Sequence, residues 1–135
     1  MKTMLIAGAG KGLGLSLAKA FGKEGFQIAL IARNEEKLQS MVKELQDQGI
    51  EASYYPADLT KKEAVENAVA DIKEKYGSID VMELSPVPTT APPATAVNVT
   101  VENATAPFEG FVISAINVVN SVLPAMQERG EGALL

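Results

Sequence analysis

Gly8, Gly10, Lys11, Gly12, Leu13 and Gly14 lie between the apolar run Thr3–Ala7 and a helical pattern that starts near Gly12. Strand, glycine cluster and helix in that order are how a chain cradles a dinucleotide pyrophosphate. Glycine lets the backbone turn sharply and a phosphate come close, while free N–H groups at the helix start supply positive potential. A tight turn also needs glycine for steric reasons, so the alternative is a purely structural turn. The position inside a strand–helix–strand unit favours the cradle. The second apolar run, Phe26–Ala32, ends in Arg33 and Asn34. A protein that selects NAD places a carboxylate at that tip to hold the ribose 2′-hydroxyl, and none is present. Arg33 is placed to meet a 2′-phosphate, and Lys11 can reach the same group, so the two cations favour NADP(H). The plainer alternative is a solvated Arg33 ahead of a helical turn that carries Glu35 and Glu36.

Other chemistry is scarce. The chain has no histidine, which removes the commonest general base and the commonest metal ligand. It has no cysteine, which excludes disulfides and thiol chemistry and fits a cytoplasmic setting. No metal site and no catalytic residue are read from it. A net charge of −5 and a pI near 4.8 argue against a nucleic-acid or anionic-membrane surface. The apolar start breaks into glycines too early for a signal peptide, and no run is expected to reach transmembrane length.

The elements that position these residues follow from periodicity. A chain of 135 residues fits one domain or a large piece of one; it is read here as a dinucleotide-binding domain spanning residues 1–135. A helix from about Gly12 to Lys23 carries Leu13, Leu17 and Phe21 on one face. A second, from about Glu35 to Gln48, buries Leu38, Met41, Val42 and Leu45 at i, i+3, i+4, i+7. Glu51–Pro56 is a third strand. Thr60 and Glu63 have the spacing of a capping box for a helix that carries Val65, Ala68, Val69, Ile72 and Tyr76. Ser78–Leu84 is a fourth strand. Residues 85–107, rich in proline and threonine, read as a long loop leaving the carboxyl end of that strand and overhanging the ligand crevice. A helix from about Phe108 to Gln127 follows, apolar on more than one face and kinked at Pro124. Ala133-Leu134-Leu135 reads as the start of a fifth strand. The fold class is therefore α/β: a Rossmann-like doubly wound parallel sheet, with the sequence ending after the fourth strand and the long helix that follows.

Gly8-x-x-x-Gly12-x-Gly14, Ala32-Arg33-Asn34, Ala57-Asp58-Leu59-Thr60, Gly77-x-Ile79-Asp80-Val81 and Val122-Leu123-Pro124-Ala125-Met126 together resemble the amino-terminal half of a short-chain dehydrogenase/reductase. The resemblance covers essentially the whole chain. It implies that Asp58 and Leu59 line an adenine site, with Asp58 bonding the exocyclic amine. Without it, Asp58 is equally well the polar end of a strand. A basic residue before the second motif glycine, here Lys11, goes with NADP(H) in that family. The long helix pairs with its symmetry mate in family members, which implies a homo-oligomer through residues 108–127. Burial of the same helix by other parts of a longer chain would account for its apolar faces as well.

The sequence also departs from the family. An Asn-Asn-Ala-Gly run usually follows the fourth strand, and this chain reads Met82-Glu83-Leu84-Ser85-Pro86-Val87. Burying Glu83 unpaired is costly, so it is expected to face solvent or a cation. The position of the family's catalytic asparagine falls on Phe111, and Asn117 and Asn120 have the wrong spacing to replace it. The family's Tyr-x-x-x-Lys pair is absent: Tyr54, Tyr55 and Tyr76 are followed four residues on by Asp58, Leu59 and Asp80. The family's catalytic serine, which follows the fifth strand, falls beyond Leu135. The reading is the cofactor-binding portion of an NADP(H)-dependent oxidoreductase, which moves a hydride between nicotinamide and a small carbonyl or alcohol. The alternative is a non-catalytic NADP(H)-binding sensor or oligomerisation module.

Overall fold

Thr3–Ala7 (β1) is buried at every position, as expected of a central strand covered on both faces. The computed structural model describes residues 1–86 and 94–135. After β1 come Leu13–Lys23 (α1), Gln27–Ala32 (β2), Glu35–Gln46 (α2), Ala52–Pro56 (β3), Lys62–Tyr76 (α3) and Val81–Leu84 (β4). Val101–Phe108 (α4), a π-helical stretch Glu109–Ile113, Ser114–Arg129 (α5) and Ala133–Leu134 (β5) complete the chain. The strands form one parallel sheet in the order β3-β2-β1-β4-β5. The fifth strand pairs with β4, Val81 opposite Ala133.

Strand alternation sorts the core into two layers. Met4, Ile6, Ile28 and Leu30 point to one face and pack with Leu15 and Ala18 of α1 and Leu38, Met41 and Leu45 of α2. Leu5, Ala7, Ala29 and Ile31 point to the other, against Val65, Val69 and Ile72 of α3 and Val118, Val122 and Met126 of α5. At the amino-terminal edge, Asp80 accepts the Thr3 amide at 2.8 Å and lies 3.7 Å from Arg129, whose guanidinium donates to the Ile79 carbonyl at 2.9 Å.

Two expectations change here. Part of the expected long loop, residues 87–93, lies outside the described residues; Ala96–Asn98 makes a 3₁₀ turn and α4 begins at Val101, well before Phe108. The local cause is a capping box: the Asn103 amide donates to Thr100 Oγ1 at 3.2 Å, and the Thr100 amide donates to Asn103 Oδ1 at 2.8 Å. Because α4, the π stretch and α5 are continuous, Val101–Arg129 becomes a helix of 29 residues, long and apolar enough to cross a membrane by length and composition. No run of that length was expected from the sequence. Its Val118, Val122 and Met126 face packs on the sheet. The helix continues through Pro124, and its irregular stretch lies upstream, directly after Pro107.

Candidate functional site

Strand order reverses between β1, β2 and β3 on one side and β4 on the other, and ligand crevices form outside the carboxyl ends of strands at such a switch. Four chain segments meet there. The Gly8 and Ala9 amides both donate to the Ile31 carbonyl, at 2.9 and 3.0 Å, which ties the glycine turn to the end of β2. The Ala57 amide donates to Ala32 O at 2.9 Å and holds the β3 exit beside it. On the other flank the Ser85 amide donates to Ala7 O at 3.0 Å, laying Pro86 against Gly8. The result is an open cleft of about 410 Å³.

Of the residues singled out in the sequence, Gly8, Gly10, Lys11, Arg33, Asn34, Asp58 and Leu59 line this cleft. Gly12, Leu13 and Gly14 do not; they open α1, with Leu13 exposed and Gly14 buried against Ala9 and Ile6. Gly10 leaves the cleft wall open above it. A Cβ built on it meets nothing within 4 Å, so the space above it is open to a ligand group. Lys37, Thr60, Gly110 and Ser114 also line the cleft and were not foreseen. Lys37 sits one turn after the Asn34 cap, a spacing that could have disclosed it, whereas Gly110 and Ser114 arrive from a distant helix with no local signal.

Local bonds fix the polar groups. Asn34 Oδ1 accepts the Lys37 amide at 3.0 Å and caps α2. The expected Thr60–Glu63 capping box does not form. The α3 cap is Lys61, without a side-chain bond, because both Thr60 donors turn to Asp58 Oδ1, the hydroxyl at 2.7 Å and the amide at 2.9 Å. Aspartate two residues before a free amide competes in this way with helix capping. Burial alone would raise the Asp58 carboxyl, but the two Thr60 bonds and the positive charges of Arg33 and Lys61 outweigh it and hold it below the ordinary carboxylate range. Lys11, Arg33 and Lys37 thus share the cleft with one carboxylate, Asp58.

The tyrosines are elsewhere. Tyr54 OH accepts from Gln39 at 3.1 Å and Tyr55 OH from Ser53 at 3.1 Å, while Tyr76 OH is buried without a partner among the described residues. Burial pushes the Tyr55 and Tyr76 hydroxyls up, away from any role as proton carriers near neutrality. Phe111 lies exposed in the π stretch. Asn120 is exposed as well, and Asn117 is buried with its amide bonded to the Leu59 carbonyl at 2.9 Å. Among the described residues no group of three His, Asp or Glu is placed to hold a metal ion.

Glu83 contradicts its expectation. It is only 4 % exposed and faces neither solvent nor a cation. Its Oε1 accepts from the Ser85 hydroxyl, and its Oε2 has no partner among the described residues. The pairing of β4 between β1 and β5 decides this, since Glu83 lies opposite Ile6 in a central strand. Replacing a buried, half-satisfied polar group by an apolar one of similar shape is neutral or stabilising. Glu83→Met, which keeps the length of the side chain without its carboxyl, is therefore expected to raise stability by about 1–3 kcal/mol in urea unfolding. A loss of stability would show that the carboxyl has a compensating partner.

A parallel sheet crossed by helices on both faces, with a glycine turn at its switch point, defines a Rossmann-like α/β fold. The chain belongs to the short-chain dehydrogenase family, whose profile matches residues 2–135. It is 40 % identical over 76 residues to an A-factor type gamma-butyrolactone 1'-reductase (1S-forming) of Streptomyces virginiae, covering 56 % of this chain and 30 % of that protein. Among solved structures, an actinorhodin polyketide ketoreductase variant with NADPH superposes with a TM-score of 0.89 at 31 % identity, over 98 % of this chain and 51 % of its own. An NAD+-bound xylitol dehydrogenase superposes with a TM-score of 0.89 at 27 % identity, over 98 % and 51 %. The chain thus spans about half the length of these solved relatives, and less of the curated one.

Proposed function

We propose that residues 1–135 form the NADP(H)-binding domain of an oxidoreductase of this family, one that moves a hydride between the nicotinamide and a small carbonyl or alcohol substrate. The observation that carries the reading is the charge of the cleft: Lys11, Arg33 and Lys37 surround it, and no acid stands at the tip of β2. The fold by itself does not select the dinucleotide, since the relatives named above include one with NADPH and one with NAD+. A 2′-phosphate would bring negative charge that three cations can meet, which a bare ribose hydroxyl lacks.

The assignments follow the walls of the cleft. The turn at Gly8–Gly12 and the first amides of α1 would hold the pyrophosphate, the open space over Gly10 letting it approach. Arg33 and Lys11 would meet the 2′-phosphate, and Asn34 would keep that corner in place by capping α2. Asp58 and Leu59 would border the adenine, with Thr60 orienting the Asp58 carboxylate. When bound, the nicotinamide supplies the hydride chemistry. No proton-transfer step is assigned to a residue of this chain, since none of its tyrosines lines the cleft. Fluorescence titration with NADPH tests the reading. Saturable binding is expected, and none at millimolar concentration would overturn it.

The same reading extends to assembly. Phe108, Phe111, Val112 and Ile116 are 40–55 % exposed on one helical stretch, an apolar surface of the kind that a second copy covers. Sedimentation velocity at tens of micromolar should give a dimer or larger species, and Phe111→Glu with Ile116→Glu should give a monomer. A monomeric parent protein would refute this assembly.

A further inference from the structure

Among the described residues, Asn117 is a buried side chain of α5 that bonds the turn at the end of β3. Its Nδ2 donates to the Leu59 carbonyl at 2.9 Å, and both residues are less than 10 % exposed. Other polar groups of that turn bond locally or to β2: the Ala57 amide to Ala32 O, the Thr60 amide and hydroxyl to Asp58 Oδ1, and the Lys61 amide to Asp58 O at 3.0 Å. The Leu59 carbonyl instead points inward and takes its partner from a helix 58 positions away. One turn before Asn117 on the same helix, Ser114 is buried and lines the cleft with Gly110. A single amide therefore links the 57–60 turn on one wall to the helix that builds the other.

We infer that Asn117 is a positioning residue for the adenine end of the cleft, fixing the Asp58–Leu59 turn against α5. The inference rests on the assignment of Asp58 and Leu59 to the adenine. Its physical basis is the asymmetry of buried hydrogen bonds: Leu59 belongs to the same apolar cluster as Val65, Val69 and Val118, so without the Asn117 donor its carbonyl loses its partner and the turn gains by moving it toward water. Asp58, one residue away, moves with it.

The test compares the parent chain with Asn117→Leu, which keeps the shape and lacks the donor, and with Asn117→Asp, which lacks it when ionised. Two readouts are needed. Amide hydrogen exchange of residues 57–61 without ligand reports the tether itself. Calorimetric titration with adenosine 2′,5′-bisphosphate, which carries only the adenosine half, and with NADPH reports the positioning. We expect exchange of the 57–61 amides to quicken and both ligands to weaken by about tenfold in Kd at full stoichiometry. A merely structural role would lower stoichiometry or melting temperature and leave Kd of the folded fraction unchanged, which would overturn the inference. Unchanged exchange at 57–61 would overturn it whatever the affinities do. Should Asn117→Leu fail to fold, Asn117→Asp decides: its affinity should recover as pH falls and the carboxyl regains a proton to donate, and a flat profile counts against the inference. Failure of the parent chain itself to bind either ligand would instead refute the cofactor assignment, and the positioning role would fall with it.

Discussion

Exchanging Lys11 for glutamate and Arg33 for aspartate together is expected to weaken NADPH binding by about a thousandfold while changing NADH binding less than tenfold. A hydrogen bond to a charged group contributes about 1.5–3 kcal/mol, so losing two of them corresponds to a factor between about a hundred and ten thousand. The reversed charges add repulsion toward the 2′-phosphate. They also place a carboxylate at the tip of β2, the group that holds a ribose 2′-hydroxyl, so NADH has a partner to gain. The Asp58 carboxyl, held below the ordinary carboxylate range in part by Arg33, is common to both measurements, so the comparison is between NADPH and NADH on the same variant. Stopped-flow or equilibrium fluorescence with both dinucleotides checks the result. Equal losses for NADPH and NADH would refute the 2′-phosphate assignment.

Gly8→Ala is expected to cost about 3 kcal/mol or more and to remove dinucleotide binding with it. Gly8 holds φ at +87°, a conformation that costs an L-residue about 1–2 kcal/mol. A Cβ there would also fall 2.7 Å from Pro86 N and 2.8 Å from Ser85 C. These are backbone atoms, which cannot rotate aside, so relief requires β4 to shift from β1 at the floor of the cleft. Gly10→Ala is the complementary case. Its added methyl meets nothing within 4 Å, so the melting temperature should be unchanged, yet it occupies the space proposed for phosphate. A loss of NADPH affinity of about tenfold or more without loss of stability is expected, and unchanged affinity would return the glycine cluster to a structural turn. Urea unfolding and NADPH titration of both variants separate the two roles.

Much of this protein was legible before its coordinates, for reasons specific to each segment. Leu38, Met41, Val42 and Leu45 recur with helical spacing and are all buried in α2. The largely apolar Thr3–Ala7 and Phe26–Ala32 announce central strands. Glycines after the first strand mark where the cleft opens. Local pattern suffices there because each element must bury its own stripe, and alternation of βα units leaves a parallel sheet as the way to do so.

The rest depended on how distant segments pack, or on local bonds that compete with the expected ones. Thr60 has the spacing of a cap, but Asp58 takes both its donors once the β3 exit is held at Ala32. Glu83 carries a charge that periodicity sends to solvent, and pairing of β4 between two strands buries it. The start of the long helix was hidden by prolines upstream of a Thr100–Asn103 capping box. Lys37, Ser114 and the bond from Asn117 to Leu59 belong to the cleft only because α2 and α5 pack against opposite faces of one sheet. The sequence by itself determined the elements, their order and the glycine and cation corner of the site, since these follow from neighbours within a few residues. Tertiary structure decided which polar groups are buried and which bonds cross between walls of the cleft, because the strands and helices that enclose them lie dozens of residues apart and meet only when the layers close.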